Sequence, residues 1–363
     1  MSNDPDPRRL GRRPRDHVAP VRHRSKLVLA PLLLVVALAI GWTIFWFQAA
    51  SVAQSTLAGW QEREEALGRT YRCGTQTVGG YPFRFEVRCA DAGADLRTMS
   101  PPLTIKAKSL VGVAQIYQPT LLIAEIEAPL TVSSPGSPAA MEAEWTLAQA
   151  SLRGPPASPE RASTAVDNLK LSQTSATGAE AVFAARHVEL HARLDPQSSA
   201  DHPVVDLAVR LEQATAPTTG PLLDQPIDAE VSTVLRGLKD LKPKPLAALL
   251  RELQQAGGEL QVASARIARG NMLASGTGTL HLSPQGRLDG VIDVAVAGFD
   301  PGLLERLVPG LKGNARLVGA GMLALLGRQT QLEGRPALVM PLRFADGAVF
   351  LGPVPLGHVA ALY

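Results

Sequence analysis

The sequence predicts a mainly β protein, a β-rich α+β fold, in which a largely antiparallel curved sheet with a few helices follows one N-terminal transmembrane helix and a helical neck. Three observations predict it. An uncharged apolar run occupies residues 27–47. Beyond residue 70, apolar residues recur mainly at every second position, which is the period of a half-buried strand. The 32 glycines and 29 prolines make up about a sixth of the 363 residues, so turns should divide the chain into many strands.

The apolar run at 27–47 is long enough to cross a bilayer. At about 1.5 Å per residue, its length matches a hydrocarbon core of about 30 Å. Trp42 and Trp46 stand near its C-terminal end, as in the aromatic belt of a membrane interface. We expect a single-pass anchor that stays in the mature protein. The alternative is a signal peptide cleaved near Ser51-Val52-Ala53, although such signals have apolar cores of only about 7–15 residues.

Positive charge is concentrated before the apolar run. Residues 1–26 contain eight lysine and arginine residues against three aspartates, a net charge of +5, whereas the whole chain carries +3. The rest of the chain therefore carries −2, and this distribution does not favour nucleic-acid binding. The positive-inside rule makes residues 1–26 a cytoplasmic tail and places the chain after the anchor in the periplasm of a bacterial inner-membrane protein.

Residues 48–68 are predicted to form a helical neck between the membrane and the domain that follows. Val52, Leu57, Trp60 and Leu67 recur at roughly helical spacing, and Gly68 is a suitable stop. The remaining residues, 69–363, are assigned to one periplasmic β-rich domain.

Alternating strands dominate this domain. Phe83, Phe85 and Val87 alternate with charged residues, which predicts one apolar and one polar face. Further alternating runs lie at 103–115, 121–128, 145–154, 183–194, 204–212, 276–283 and 286–296. The pattern is typical of an antiparallel sheet with one solvated face.

A few helices and a final hairpin interrupt or end this pattern. An apolar stripe predicts a helix within 241–258, and further helices are predicted at 299–310, with Asp300 as N-cap, and at 315–327. Residues 336–357 read as a hairpin that turns at Asp346-Gly347. Pro341 lies inside its first strand, which favours an edge position or a bulge.

Motifs for chemistry are few. The sequence contains neither a phosphate-binding loop ending in Gly-Lys-Ser/Thr nor a Gly-x-Ser-x-Gly nucleophile motif, and we expect no cofactor. His187, Glu189 and His191 form the one candidate metal-binding cluster. On a strand they would point the same way but lie about 6.5–7 Å apart, too far for zinc bonds of about 2.0–2.2 Å. A solvated strand face is the favoured interpretation, with a metal site as the alternative.

The chain has two cysteines, Cys73 and Cys89. If a hairpin centres near residues 80–81, the two lie almost opposite each other. An exported chain meets an oxidising compartment, so we predict a disulfide. Two free buried thiols are the alternative, and nothing resembles the Cys-x-x-Cys motif of a catalytic dithiol.

Two motifs resemble a known family. They are GGYPFRFEVRC at 79–89 and PLRFADGAVFLGPVPLG at 341–357, and here they follow an anchor and a helical neck. The combination resembles an uncharacterised, mainly alphaproteobacterial family, the domain of unknown function 2125. The resemblance implies fold and cellular location but no activity, catalytic residue or cofactor. A looser analogy, at the level of fold alone, is to AsmA-like envelope proteins, some of which are thought to hold or move lipids along a groove.

The motif residues have structural interpretations. Gly79-Gly80 is expected to be the flexible part of a hairpin turn. Tyr81-Pro82 should lead into the next strand, because a residue before proline is held extended. Phe83 would then begin the apolar face, and Asp346-Gly347 would turn the last hairpin.

These observations predict a non-enzymatic, membrane-anchored protein of the cell envelope. Its partners would be membrane lipids through the anchor, and its apolar sheet face would bind or shield a lipid or another apolar envelope component. A closed core without ligand is the plain alternative. A scaffold for envelope proteins, using the neck and an edge strand near Pro341, is another. A metal-dependent hydrolase centred on His187, Glu189 and His191 is the third.

Overall fold

The structure, a computed structural model, describes residues 25–363 apart from 138, 156–158, 176–177, 197, 200, 221, 243, 299–326 and 353. Residues 1–24 of the basic tail, the helix expected at 299–310 with its Asp300 cap, and nearly all of the helix expected at 315–327 lie outside the described residues. The chain divides into two compact units, Met1–Ala49 and Ala50–Tyr363.

The first element is a long helix, α1, over Ser25–Ala66. Within the described residues it is the one helix long and apolar enough to cross a membrane, a property shared by anchors and signal sequences. The helix ends at Ala66, where the amide of Gly68 donates to the carbonyl of Glu65 at 2.9 Å. Gly68 adopts a positive φ of 77°, the usual conformation just past a helix end.

In the described residues, seventeen strands form a single sheet. They are β1 Arg69–Gly79, β2 Arg84–Leu96, β3 Leu103–Gln115, β4 Gln118–Ser133, β5 Ala140–Glu144, β6 Leu147–Arg153, β7 Arg161–Ser175, β8 Gly178–Leu194, β9 Val205–Ala214, β10 Ile227–Arg236, β11 Glu259–Arg269, β12 Met272–Leu282, β13 Leu288–Ala297, β14 Arg328–Leu332, β15 Arg335–Ala345, β16 Ala348–Leu351 and β17 Val354–His358.

The strands follow one another through the sheet in antiparallel order, except where one long strand meets two short ones. β4 pairs with β5 and β6 in turn, and both of these pair with β7. β15 pairs with β13 on one side and with β14 and then β16 on the other. In the described residues, β1 and β17 each pair with a single strand. The predicted mainly β, antiparallel fold is confirmed.

One face of the sheet is apolar across many strands because the register keeps apolar residues opposite one another. Val188 lies opposite Leu211, Leu211 opposite Ala229, and Ala229 opposite Ile267. Since side chains on a strand alternate between faces, these four share one face. The apolar stripes predicted separately for 183–194 and 204–212 are therefore parts of one surface.

The opposite face carries charges of alternating sign. Glu189 lies opposite Arg210, Arg210 opposite Glu230, and Glu230 opposite Arg266. Opposite charges at directly paired positions stabilise a sheet by roughly 0.2–1 kcal/mol per pair. This face is therefore suited to solvent.

The interior is thin for a unit of this size. Among the described residues, no large side chain is fully buried, and alanines make up much of the buried apolar set. One small cluster joins Ala185, Ala214 and Ile227. Much of the apolar face is therefore only partly covered.

The predicted helix within 241–258 is α2, Leu246–Gln255. Leu253 is its buried residue, whereas Leu246 at its N-terminal end is 67 % exposed. The amide of Gly258 donates to the Leu253 carbonyl at 2.6 Å and closes the helix end. Gly257-Gly258 therefore ends the helix as its sequence indicates.

Pro341 lies neither on an edge strand nor at a bulge in the pairing of β13 with β15, so the expectation of an edge or a bulge is wrong. It sits in β15 opposite Asp293 of β13. Its carbonyl accepts a hydrogen bond from the Gly352 amide at 2.9 Å, so the nitrogen of Pro341 points to that same side of the strand. On that side, Arg328 at the start of β14 lies opposite Val339, and Leu351 at the end of β16 lies opposite Leu342. The proline therefore falls in the gap between these two strands, where no ladder donor is needed.

Candidate functional site

An apolar groove lies between the neck helix, defined here as the α1 segment from Ala50 to Ala66, and the apolar face of β1–β4. It has a volume of about 660 Å³. Of the residues that line it, Gln61, Arg72 and Gln76 are those with amide or charged side chains. A volume in the range of about 300–1,000 Å³ is typical of small-molecule sites.

The neck helix is fixed on β1 by an aromatic pair and an ion pair. The rings of Trp60 and Tyr71 stack with centroids 4.7 Å apart. The guanidinium of Arg69 donates two hydrogen bonds to the Glu64 carboxylate, at 2.5 and 2.9 Å. These hydrogen bonds lower the pKa of Glu64 and raise that of Arg69, because each stabilises the charged form. The helix wall of the groove is thus held where the chain reverses into β1.

The sheet wall of the groove depends on a shift in the strand alternation. In β2, the lining side chains are odd-numbered up to Cys89 and even-numbered from Ala92. In β3 they are odd-numbered up to Ala107 and even-numbered from Leu110. One position in each of the first three strands is skipped in the cross-strand pairing: Gly74, Asp91 and Lys108. The shift keeps apolar side chains facing the groove on both sides of the irregularity.

Small side chains leave the space that forms the groove. Ala94, Ala107, Gly112 and Ala114 line its sheet wall among larger residues. A Cβ added at Gly112 would have one neighbour within 4 Å, the Leu122 Cδ1 at 4.0 Å. Leu122 itself is 45 % exposed. The groove is therefore open rather than filled by the protein's own side chains.

The groove lining contains few polar side chains. The guanidinium of Arg72 is hydrogen-bonded to the carboxylate of Asp95, which lies on the opposite face of β2 from the lining residues Ala92 and Ala94, so the charge of Arg72 is turned away from the groove. Gln61 of the neck and Gln76 of β1 add amide groups. The lining as a whole offers apolar contact surface with a few hydrogen-bonding groups.

Cys73 and Cys89 are joined by a disulfide, with Cα atoms 5.4 Å apart. They are not directly opposite in register, contrary to the estimate from a hairpin centred at 80–81. Cys73 pairs with Ala92, and Cys89 pairs with Gln76. The bond therefore runs diagonally across the skipped pair Gly74 and Asp91, and both cysteines line the groove.

The GGYPF segment forms the turn of the β1–β2 hairpin. Gly80 has a φ of 98°, and a Cβ added there would lie 2.6 Å from the Arg84 carbonyl oxygen, whereas Gly79 has open space. The Tyr81-Pro82 peptide bond is cis. Strand β2 begins at Arg84, so Tyr81-Pro82 and Phe83 belong to the turn and not to the strand. The expectation that Phe83 lies on the apolar strand face is wrong, and its side chain is 65 % exposed.

Asp346-Gly347 turns the hairpin between β15 and β16, with Ala345 opposite Ala348. The φ angles of Asp346 and Gly347 are 48° and 85°. Two consecutive positive φ values match the two-residue turn that Asp-Gly favours between twisted strands. The residues of this motif thus shape the hairpin and lie outside the groove lining.

His187, Glu189 and His191 lie on the charged face of β8. The Nδ1 of His187 is 2.6 Å from Asp167 Oδ1, and its Nε2 is 2.9 Å from Glu189 Oε1. The second oxygen of Glu189 is 3.3 Å from His191 Nε2, and His191 Nδ1 is 2.9 Å from Ser163 Oγ. Glu189 thus bridges the two imidazoles. In the described part of the chain, no group of three or more histidine, cysteine or acidic residues is arranged to hold a metal ion.

This cluster has a defined electrostatic character. The hydrogen bond to Glu189, followed by that to Asp167, raises the pKa of His187. Hydrogen bonds from His187 and then His191 lower the pKa of Glu189. The ordinary interpretation, a hydrogen-bonded ladder on a solvated strand face, accounts for these contacts.

Sequence reasoning found part of the groove and missed part. It placed Phe85 and Val87 on an apolar face, and both line the groove. It missed the alanines that follow Asp91, because the alternation shifts there and even-numbered instead of odd-numbered residues face the groove. Asp91 has a φ of 51°, a conformation that aspartate tolerates better than most residues, so an Asp at a break in the alternation was the available signal.

The comparisons with known proteins place the chain in a family. The model of a family described as uncharacterized protein conserved in bacteria, DUF2125, matches residues 46–360. The chain therefore belongs to this family, as the motif resemblance predicted. No curated protein and no solved structure matches the chain.

Proposed function

We propose that this protein is a single-pass, membrane-anchored envelope protein whose groove holds the apolar part of a lipid or of a similar envelope component. The observation that carries the proposal is the groove itself. It combines a volume of about 660 Å³ with a lining in which Gln61, Arg72 and Gln76 are the amide or charged side chains. Apolar contact of this kind favours an apolar ligand by about 25 cal/mol per Å² removed from water.

The cellular setting in the proposal is the bacterial inner membrane. The long apolar helix α1 supports it, as does the net charge of +5 on residues 1–26, which favours a cytoplasmic N-terminus and a periplasmic β domain. A groove tethered beside a bilayer has a high local concentration of acyl chains available to it.

The glutamine side chains of the lining support an amphipathic ligand over a purely apolar one. An acyl chain would contact the alanine, leucine and glycine wall of β3, and a polar head group would meet Gln61 or Gln76. Arg72 is paired with Asp95 on the other face of β2, so its charge does not face the groove. The proposal is therefore not restricted to an anionic head group.

The test is lipid mass spectrometry on the full chain, extracted and washed in detergent, together with two matched variants. Gly112→Phe places a ring in the groove at a position with room for a Cβ. Val111→Phe adds the same ring on the opposite face of β3, because successive side chains point to opposite faces. We expect a bound lipid in the wild type and in Val111→Phe, and its loss in Gly112→Phe.

All three proteins keep the same α1 helix, so the amount of lipid that merely surrounds this anchor should be the same in each of them. Equal lipid content in wild type and Gly112→Phe would contradict the proposal. Loss in both variants would also count against it, since it would show that retention does not depend on the groove.

A further inference from the structure

Two neighbouring hairpin turns carry exposed aromatic side chains. The β1–β2 turn holds Tyr81 and Phe83, which are 49 % and 65 % exposed, and the β3–β4 turn holds Tyr117, which is 74 % exposed. The amide of Ile116 donates to the carbonyl of Phe83 at 3.1 Å, so the two turns lie side by side. We call these two turns the aromatic tips.

The aromatic tips lie toward the N-terminal end of the neck helix. The chain reverses at Leu67 and Gly68, and Trp60 stacks on Tyr71 near the start of β1. From that contact, the neck runs back toward Ala50 while β1 runs toward its turn, and Leu57 and Ala53 line the groove along the way. The neck helix, followed back toward Ala50, and β1, followed toward its turn, therefore extend in the same direction from the contact between Trp60 and Tyr71.

Their lengths bring the aromatic tips to the level of Ala50. From Trp60 to Ala50, the helix rises by about 15 Å at about 1.5 Å per residue. From Tyr71 to Tyr81, the extended chain covers about 33 Å at about 3.3 Å per residue. Even if the helix axis and β1 diverge by a large angle, the β1–β2 turn lies at or beyond the level of Ala50. At Ala50, α1 continues toward its apolar segment.

We propose that the aromatic tips contact the interface of the same bilayer that holds α1, and form a second membrane-binding surface. The inference rests on the proposed anchoring in a membrane but not on a ligand in the groove. Tyrosine and phenylalanine combine large apolar area with, in tyrosine, a polar hydroxyl, which suits them to the region between head groups and acyl chains.

The other end of the same strands provides the contrast. The β2–β3 turn carries Met99, which is 41 % exposed, and no aromatic residue occurs between Leu96 and Leu103. Contact through the aromatic tips would orient the groove with its Phe85 and Leu122 end toward the bilayer. An acyl chain would then have a short path between membrane and groove.

The test uses an environment-sensitive fluorophore on single introduced cysteines in the full chain, reconstituted into phosphatidylcholine vesicles. Both native cysteines are in the disulfide and do not react with the label. The labelled positions are Phe83→Cys and Tyr117→Cys at the aromatic tips, with Met99→Cys as the matched control at the other end. All three side chains are exposed, so the labelled proteins are expected to fold.

Vesicles containing a lipid with a nitroxide near the head of its acyl chain should quench most of the emission at 83 and 117, and little at 99. Quenching at 99 alone, or equal quenching at all three positions, would overturn the proposal. Absence of quenching at all three would overturn it as well. Flotation of the same samples with the vesicles reports the anchor separately, and the lipid content of the detergent-extracted chain reports the groove.

Discussion

His187 lies between two carboxylates, and this arrangement makes its protonation part of the folding free energy. Its pKa is raised by Glu189 and Asp167, so the charged imidazole is stabilised in the folded state. A raised pKa contributes stability that is complete below the unfolded value of about 6.5 and is lost as pH rises through the folded value. The lowered pKa of Glu189 contributes stability that is lost only as pH falls through its own folded value.

We therefore expect the free energy of unfolding to decrease by about 0.5–1 kcal/mol between about pH 6 and pH 8.5 through His187, since its partners are partly exposed and screened. The measurement is urea unfolding of the detergent-solubilised chain at both pH values. His187→Gln should remove this decrease. His281→Gln is the control, because His281 is 3.9 Å from its acidic neighbour Asp289 and should leave the decrease intact. An unchanged pH dependence in His187→Gln would contradict the assignment.

The disulfide fixes two strands across an irregular pair in the groove wall. Replacing both Cys73 and Cys89 by serine should lower the free energy of unfolding by about 3 kcal/mol, the loop-entropy value for a closed loop of roughly 15 residues. Chemical unfolding of the oxidised wild type and of the double variant measures this. Reduced wild type should match the double variant. Two reactive thiols in denatured, unreduced wild type would show that the bond does not form.

At the scale of elements, the β1–β2 turn contains a natural matched pair of glycines. Gly80→Ala should destabilise the protein by about 1–3 kcal/mol, because the residue has a φ of 98° and its Cβ would meet the Arg84 carbonyl oxygen. Gly79→Ala should stay within about 0.5 kcal/mol of wild type, since its Cβ would meet open space. Thermal unfolding of both variants checks this, and equal losses would exclude the turn geometry described here.

Elements with a clean period were predictable, whereas a shifted period hid one long strand. The run at 286–296 covers most of β13, which pairs with β12 without an irregularity, and the leucine stripe predicted α2. Strand β7 was missed, because its alternation breaks at Asn168, which has a φ of 54°. In the partner strand β8, the charged residue Arg186 interrupts the apolar alternation, and the pairing of β7 with β8 skips Asn168 and Arg186 together. A single residue with a non-strand backbone conformation thus interrupts the alternation. A search for apolar residues at every second position then misses a long strand.

The Pro341 prediction failed for a related reason. Sequence shows that a proline lacks a ladder donor, but not which neighbours the strand will have. Two short strands, β14 and β16, share one side of β15, and the gap between them accepts the proline in the sheet interior. Such a gap depends on pairings between segments and has no local signal.

At the scale of the whole chain, alternation predicts a sheet with one apolar and one charged face but does not say whether the apolar face is covered. The answer depends on side-chain size at particular positions. Gly112 and Ala107 leave room where larger residues would have filled the space below the neck helix. The presence of an apolar face was thus predictable, whereas its opening into a groove required the positions of the neck helix and the skipped pairs.

The central claim is that this groove holds an acyl chain, and photo-crosslinking tests it most directly. A phospholipid with a diazirine in its acyl chain would be activated with the full protein in vesicles, followed by peptide mapping. We expect cross-links at Leu110 and Leu122 in the groove as well as in α1, and loss of the groove cross-links in Gly112→Phe but not in Val111→Phe. Cross-links confined to residues 27–47 in the wild type would contradict the claim.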